Sequence, residues 1–193
     1  GAAAKIALDG VTTNLSGSRH AIAVESWGTN PDAAAVIDLK NTTINIESGS
    51  GHAIFVVQYV KNLQVNVTDG TKITGNQAIF IERAEEAVIT IDETSSVDNI
   101  HSPYGVVTVV CEGDNMPKLN GSNYVTYNPA EYELKEVLEN GGEVTLTSDV
   151  TLTQALVIPA GTEVTLNLNG RDLNVTAAYD SNNATASSVI VNN

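Results

Sequence analysis

Three sets of side chains in this sequence are of types that can do chemistry. Glu82 and Arg83 are adjacent, and Asp69, Glu85, Glu86 and Asp92 lie close to them in the chain. Acids gathered around an arginine or lysine suit acid–base work on a glycan, or weak binding of a divalent cation. His20 and His52 head two copies of one short phrase, so they occupy equivalent positions and can stack one above the other. Phe55 and Phe80 are equivalent in the same way, and outward aromatic rings on adjacent strands can form a platform for a sugar ring.

Each set also has a plainer reading. Only Glu25 places an acid in the column of Glu82, which favours solvated surface charge over a catalytic cluster. A zinc site needs ligands beyond His20 and His52, and the matching positions hold Gln77 and Tyr104; His101 is expected in a loop. Repeated polar turn residues explain the histidines more simply. Phe55 and Phe80 are equally well accounted for if residues 115–128 or Trp27 cover them. The single cysteine, Cys111, follows Val109-Val110 and reads as a small buried apolar residue. No nucleophile elbow, glycine-rich phosphate loop, metal-ligand quartet or EF-hand occurs, and Asp180-Ser181-Asn182-Asn183 resembles a calcium loop only superficially. No cofactor is expected, with weak calcium binding as the one exception the acids would suit.

The charge balance narrows the partners. There are 23 acids against nine bases, a net charge of −14. Nucleic-acid binders display a basic patch. Here Arg19, Arg83 and Arg171 stand apart and no two lysines are adjacent, so no nucleic-acid partner is expected. No apolar run approaches the roughly 20 residues of a membrane span. Gly1 reads as a processed end, and the acidity, scarce cysteine and abundant Asn and Thr fit a secreted or cell-surface protein.

The elements that must position these residues follow from the phrase itself. It reads His20-Ala21-Ile22-Ala23-Val24, His52-Ala53-Ile54-Phe55-Val56 and Gln77-Ala78-Ile79-Phe80-Ile81, with a looser copy from Tyr104 to Val109. The first residues are 32, 25 and 27 positions apart. Repeats of this length carrying short β-branched runs mark a stacked array. Between the copies lie further short strands, such as Val36–Leu39, Thr43–Ile46 and Leu63–Val67, separated by turns such as Lys40-Asn41 and Asp69-Gly70. No stretch before residue 128 suits a crossover helix. Identical phrases then stack in register as parallel strands, each about 4.8 Å above the last. The expected fold is all-β: a right-handed parallel β-helix, a single-stranded solenoid with coils of about 25 residues, plus one short capping α-helix. Parity puts Ile22, Ile54, Ile79 and Val106 inside, with Val24, Val56, Ile81 and Thr108. Ala23, Phe55, Phe80 and Val107 form an outward column, and Glu25, Val57, Glu82 and Val109 a second.

Residues 1–114 are therefore expected to form coils, and 115–128 an irregular linker or face-covering segment. Residues 129–193 are expected to hold a capping helix, at about 130–140, and further coils. Pro129 opens that helix, Leu134, Val137 and Leu138 give it an apolar stripe, and Asn140-Gly141-Gly142 stops it. Residues 166–175 then lie over 37–46 at a constant offset of 129, so the same grammar operates at both ends.

The stretch ELKEVLENGGEVTLTSDVTLTQALVIPAGTEVTLNLNG, Glu133 to Gly170, resembles the opening of pectin-lyase-like β-helix proteins, in which a short amphipathic helix caps the first coil. Residues 20–113 are similar to the later rungs of such proteins, adhesin-like surface members of gut bacteria included. The resemblance implies a non-enzymatic extracellular module, an adhesin or carbohydrate-binding or structural piece, with glycans or host surface ligands as partners. Its alternative is a polysaccharide lyase or glycoside hydrolase, or part of one, acting on acidic glycans. On the binding reading the outward columns supply the site: Phe55, Phe80, His20, His52, Gln77, Glu82 and Arg83. The cap-like helix follows the first coils where the family places it before them, so the chain either joins the end of one β-helix to the start of the next or is a rearranged piece. Either way its open rungs invite end-to-end self-association.

Overall fold

The computed structural model describes residues 4–25, 34–121, 123–152, 156–176 and 190–192. The described chain is mostly β with one α-helix. It separates into two compact units, Gly1–Thr126 and Tyr127–Asn193.

The first unit contains strands β1 (Ala4–Asp9), β2 (Thr12–Ser16), β3 (Ile22–Glu25), β4 (Ala34–Lys40), β5 (Thr43–Ser48), β6 (Ile54–Thr68) and β7 (Lys72–Thr74). It continues with β8 (Ile79–Ile91), β9 (Ser96–Val97), β10 (Asn99–Ser102), β11 (Val107–Val110) and β12 (Lys118–Gly121), and β13 (Tyr124–Tyr127) runs to the boundary with the second unit. The chain visits three parallel ladders in turn. In one, β1, β4, the later part of β6, the later part of β8 and β11 lie side by side. In the second, β2, β5, β7 and β9 do so. In the third, β3, the start of β6, the start of β8, β10 and β12 follow one another.

The registers explain why the sequence repeats. Ile22 lies on Ile54, Ile54 on Ile79, and Ile79 on Ile100. Ile6, Ile37, Val65 and Ile89 make a second column, and Ile44, Ile73 and Val97 a third. Side chains alternate across a strand, so every second β-branched residue meets its equivalent on the next strand and leaves water with it. Ile37, Ile54, Ile79 and Ile89 are fully buried in one continuous core. Each such side chain contributes roughly 1.5–3 kcal/mol from burial. The turns after β1, β4 and β6 each carry a left-handed residue: Gly10 (φ 68°), Asn41 (φ 45°) and Asp69 (φ 54°). These are the types that tolerate that conformation.

Three expectations are corrected. The fourth copy of the phrase is Ile100-His101, not Tyr104–Val109. Val106 is 47% exposed, whereas Val107 and Val109, expected outside, are fully buried and pair with Ala87 and Ile89. The cause is a tight turn at 103–105: the Gly105 backbone packs so closely on Ala84 that a Cβ there would sit 3.1 Å from Ala84 O. That turn shifts the parity of everything after it. Second, residues 115–128 are not irregular throughout, because β12 pairs with β10 and β13 with β11. Third, the phrase and the strand after it merge into single long strands, β6 and β8, since no Gly or Pro interrupts 54–68 or 79–91. Trp27 lies outside the described residues.

In the second unit, α1 (Pro129–Asn140) is followed by β14 (Gly142–Thr145), β15 (Val150–Leu152), β16 (Leu156–Ile158), β17 (Val164–Asn167), β18 (Leu173–Val175) and β19 (Ile190–Asn192). Parallel pairs β14–β17, β15–β18 and β16–β19 form. Leu134 and Leu138 of α1 bury themselves against Val144, Leu146, Val150, Leu152 and Leu156. The helix starts where it does because the Asn128 side chain accepts from Glu131 N at 2.8 Å and Pro129 fits the first turn. Asn128→Ala leaves that amide without its acceptor. Urea denaturation should show a loss of about 1 kcal/mol, with Asn128→Ser close to wild type.

Candidate functional site

The ladder geometry draws the expected aromatic residues into one column. Phe55 and Phe80 are in register, with ring centroids 5.5 Å apart and planes inclined by 28°. His20 lies almost flat on Phe55 (4.1 Å, 5°) and parallel to His52 (5.1 Å, 4°). His52, at the corner before β6, also stacks on Phe55 at 5.1 Å and Phe80 at 5.1 Å. His101 closes the column with an edge contact to Phe80 at 5.3 Å and 86°. It sits in β10 opposite Phe80, not in a loop. All three histidines of the chain are therefore in this one column. The signal for His101 was the match of Ile100-His101 to Ile79-Phe80, hidden by the longer likeness at Tyr104.

The rings face one another along the stack. A sugar stacking on an aromatic ring needs a free face; here neighbours occupy the faces, and Phe55 and Phe80 are half-buried. Offset and edge contacts of this kind contribute roughly 0.5–1.5 kcal/mol per pair beyond area burial.

Its histidines are held by hydrogen bonds to the main chain. His52 N donates to His20 Nδ1 at 3.2 Å, and His52 Nδ1 donates to Gln77 O at 2.7 Å. Burial lowers the His20 pKa below its ordinary 6.5, with Glu25 opposing. Burial also lowers that of His52; the bond to Gln77 O opposes, while His20 and His101 add to the lowering. The Gln77 side chain itself is exposed. It lines an open groove of about 480 Å³ between residues 46–51 and 75–77, where Glu47, Asn76 and Asp98 also contribute.

Glu82 and Arg83 follow Phe80 in β8. Arg83 is exposed and its guanidinium lies 5.9 Å above the ring of Tyr104, itself 68% exposed. Asp69 and Asp92 belong to the turns after β6 and β8. Lys40 Nζ lies 3.3 Å from Asp69, and Asp69 N donates to Asp92 Oδ2 at 2.6 Å. Burial pushes the Asp92 carboxyl up, but hydrogen bonds from Ser95, the Asp69 amide and Thr94 outweigh it and hold the group below the usual carboxylate range.

Further columns of polar side chains bridge successive strands, and sequence reasoning did not find them. Asp38 accepts from Asn66 at 2.7 Å and pairs with Lys5 at 3.0 Å, contacts that hold its carboxyl low. Asn45 donates to Asn14 and accepts from Thr74, both at 2.8 Å. Thr42 N donates to Thr71 Oγ1 and Thr71 N to Ser95 Oγ, at 3.1 Å each, inside the core. Their only sequence signal is recurrence of a polar type at the phrase's own spacing. Among the described residues no buried side-chain N or O lacks a partner, and no three His, Cys, Asp or Glu gather as for a metal ion. Asp180–Asn183 lie outside those residues. Cys111 is buried beside Met116, Sγ to Sδ 3.6 Å, and burial pushes its thiol pKa up, with Glu112 adding to the rise.

Fold and site together define a repetitive, parallel, mostly-β protein whose polar side chains bridge neighbouring strands. Comparison with protein-family models, curated proteins and solved structures found no match.

Proposed function

We propose that the chain is a module of a secreted or surface-attached right-handed parallel β-helix, of pectin-lyase-like architecture, that binds ligands and does not turn them over. One observation carries this reading. Several side chains of catalytic type are committed to bonds between strands: Asp38 to Lys5 and Asn66, Asp92 to the Asp69 turn, His52 to Gln77 O. A general acid or nucleophile must be free to meet substrate; these groups serve as mortar for the stack. The ligand is a glycan or another host-surface group of low negative charge, since a chain of net charge −14 repels polyanions.

A glycan array carrying neutral and acidic oligosaccharides, run beside a depolymerisation screen with added calcium, tests it. Retention of neutral glycans without product release is expected. Breakdown of an acidic polysaccharide would replace this reading with that of a lyase or hydrolase, and an array without hits would reduce the module to a spacer.

A further inference from the structure

The corner where His20 meets His52 carries an inference that goes beyond binding. A backbone carbonyl only accepts hydrogen bonds, so the proton between His52 Nδ1 and Gln77 O belongs to the imidazole. A backbone amide only donates, so His20 Nδ1, which receives the His52 N–H, must carry a bare lone pair. The neutral His20 ring then holds its proton on Nε2. Two rings stacked 5.1 Å apart are thus fixed in opposite tautomers.

We infer that this pair is a pH-sensitive latch: protonation of His20, but not of His52, removes the one titratable bond between the turn at 17–21 and the turn at 49–53 and loosens one wall of the groove beside Gln77. A second proton on His52 goes to Nε2 and leaves the bond to Gln77 O in place. A second proton on His20 has only Nδ1 to go to. There it turns an acceptor into a donor facing the His52 N–H, and that amide, in a residue only 5% exposed, is left without its acceptor. The same two turns are otherwise joined by neutral contacts: Gly51 N to Gly17 O at 3.0 Å, Ala21 N to His52 O at 3.1 Å, and Ser18 Oγ with Ser50 Oγ at 2.9 Å. None of these changes with pH, so His20 is the element that senses it. Ser50 and Gly51 line the groove, so movement of their turn reshapes it.

The groups facing the pair set the direction of the response. Glu25 from β3 favours charge on His20, while burial opposes it. Phe55 and Phe80 cover the ring faces, and His101 from β10 opposes charge on His52. Arg19 lies in the turn itself, exposed. Both histidines are held below their ordinary 6.5, so the unfolded chain takes up these protons first. Stability from the pair is complete above that value. It falls as the pH drops below it, and levels off once the folded-state histidines have titrated.

The test is NMR of the whole chain labelled with 15N. Long-range 1H–15N correlations at pH 7.5 should show His20 protonated on Nε2 and His52 on Nδ1. Between pH 7.5 and 5, exchange of the His52 amide, corrected for its intrinsic rate, should accelerate by about tenfold with the midpoint of His20, as loss of one hydrogen bond implies. In His20→Asn the amide oxygen takes the place of Nδ1 and does not titrate, so protection should persist at both pH values; in His20→Ala it should be low at both. A His20 ring protonated on Nδ1 at pH 7.5, protection in the wild type that ignores pH, or an unchanged pH response in His20→Asn would each overturn the inference. Should a variant fail to fold, the tautomers and exchange of the wild type decide alone.

Discussion

Ile79→Ala is expected to lower the unfolding free energy by about 3–5 kcal/mol, the upper part of the range for large-to-small changes in a core. Ile79 is fully buried and has an equivalent on both sides, Ile54 and Ile100. The three carbons removed, one methylene and two methyls, leave a gap that neither neighbour can close, because each is fixed by its own strand register. Among the described residues Ile22 has an equivalent on one side only, Ile54, and is 5% exposed. With one partner held in register and not two, Ile22→Ala should cost only about 2 kcal/mol. Urea denaturation followed by far-UV circular dichroism measures both, with an unchanged slope showing that only stability moved. Equal losses at the two positions would contradict a column in which two partners in register confine a member more than one does.

That column was legible in the sequence for a physical reason. A parallel ladder aligns equivalent residues, and a buried face tolerates only apolar ones, so the inward parity of Ile22, Ile54 and Ile79 recurs in the text. Phe55 over Phe80 and His20 over His52 follow from the same alignment. The alignment is lost where the chain gains or loses a residue between strands. The turn at 103–105 resets parity, and the better-looking phrase at Tyr104 concealed the short true copy at Ile100. β12 and β13 carry little signal of their own because each is only four residues long and Lys118–Gly121 is polar as well. They become strands only because β10 and β11 offer them an edge.

Polar contacts were less legible still. A run such as Lys5, Asp38 and Asn66 has no local pattern; the three meet because β1, β4 and β6 are consecutive in the ladder. The histidine tautomers depend on which atom of a neighbouring turn points at each ring, and residue types carry no record of that. The sequence therefore indicates where a site can form on this scaffold, while hydrogen bonds to the main chain decide what its groups are free to do.

Gly51→Ala is the change that should separate these two levels. Gly51 has no left-handed backbone to protect, so conformational strain does not enter. Its constraint is contact: a Cβ would lie 2.1 Å from Arg19 O, a main-chain atom that no side-chain rotation can move aside. The turn at 17–21 must then shift bodily, taking with it the bonds from Gly51 N to Gly17 O and from His52 N to His20 Nδ1. Overpacking of about 1–3 kcal/mol, joined to two hydrogen bonds of about 1 kcal/mol each, gives a loss of roughly 3–5 kcal/mol. Gly10→Ala provides the contrast. That residue has φ 68° and open space around it, so strain alone acts and the loss should be about 1 kcal/mol. Thermal unfolding ranks the two. Amide exchange at His52 then discriminates further, because Gly51→Ala should leave that amide unprotected at every pH while Gly10→Ala leaves its pH response intact. A Gly51→Ala protein that kept both stability and the His52 response would show that the turns at 17–21 and 49–53 do not meet as closely as the His20–His52 bond requires.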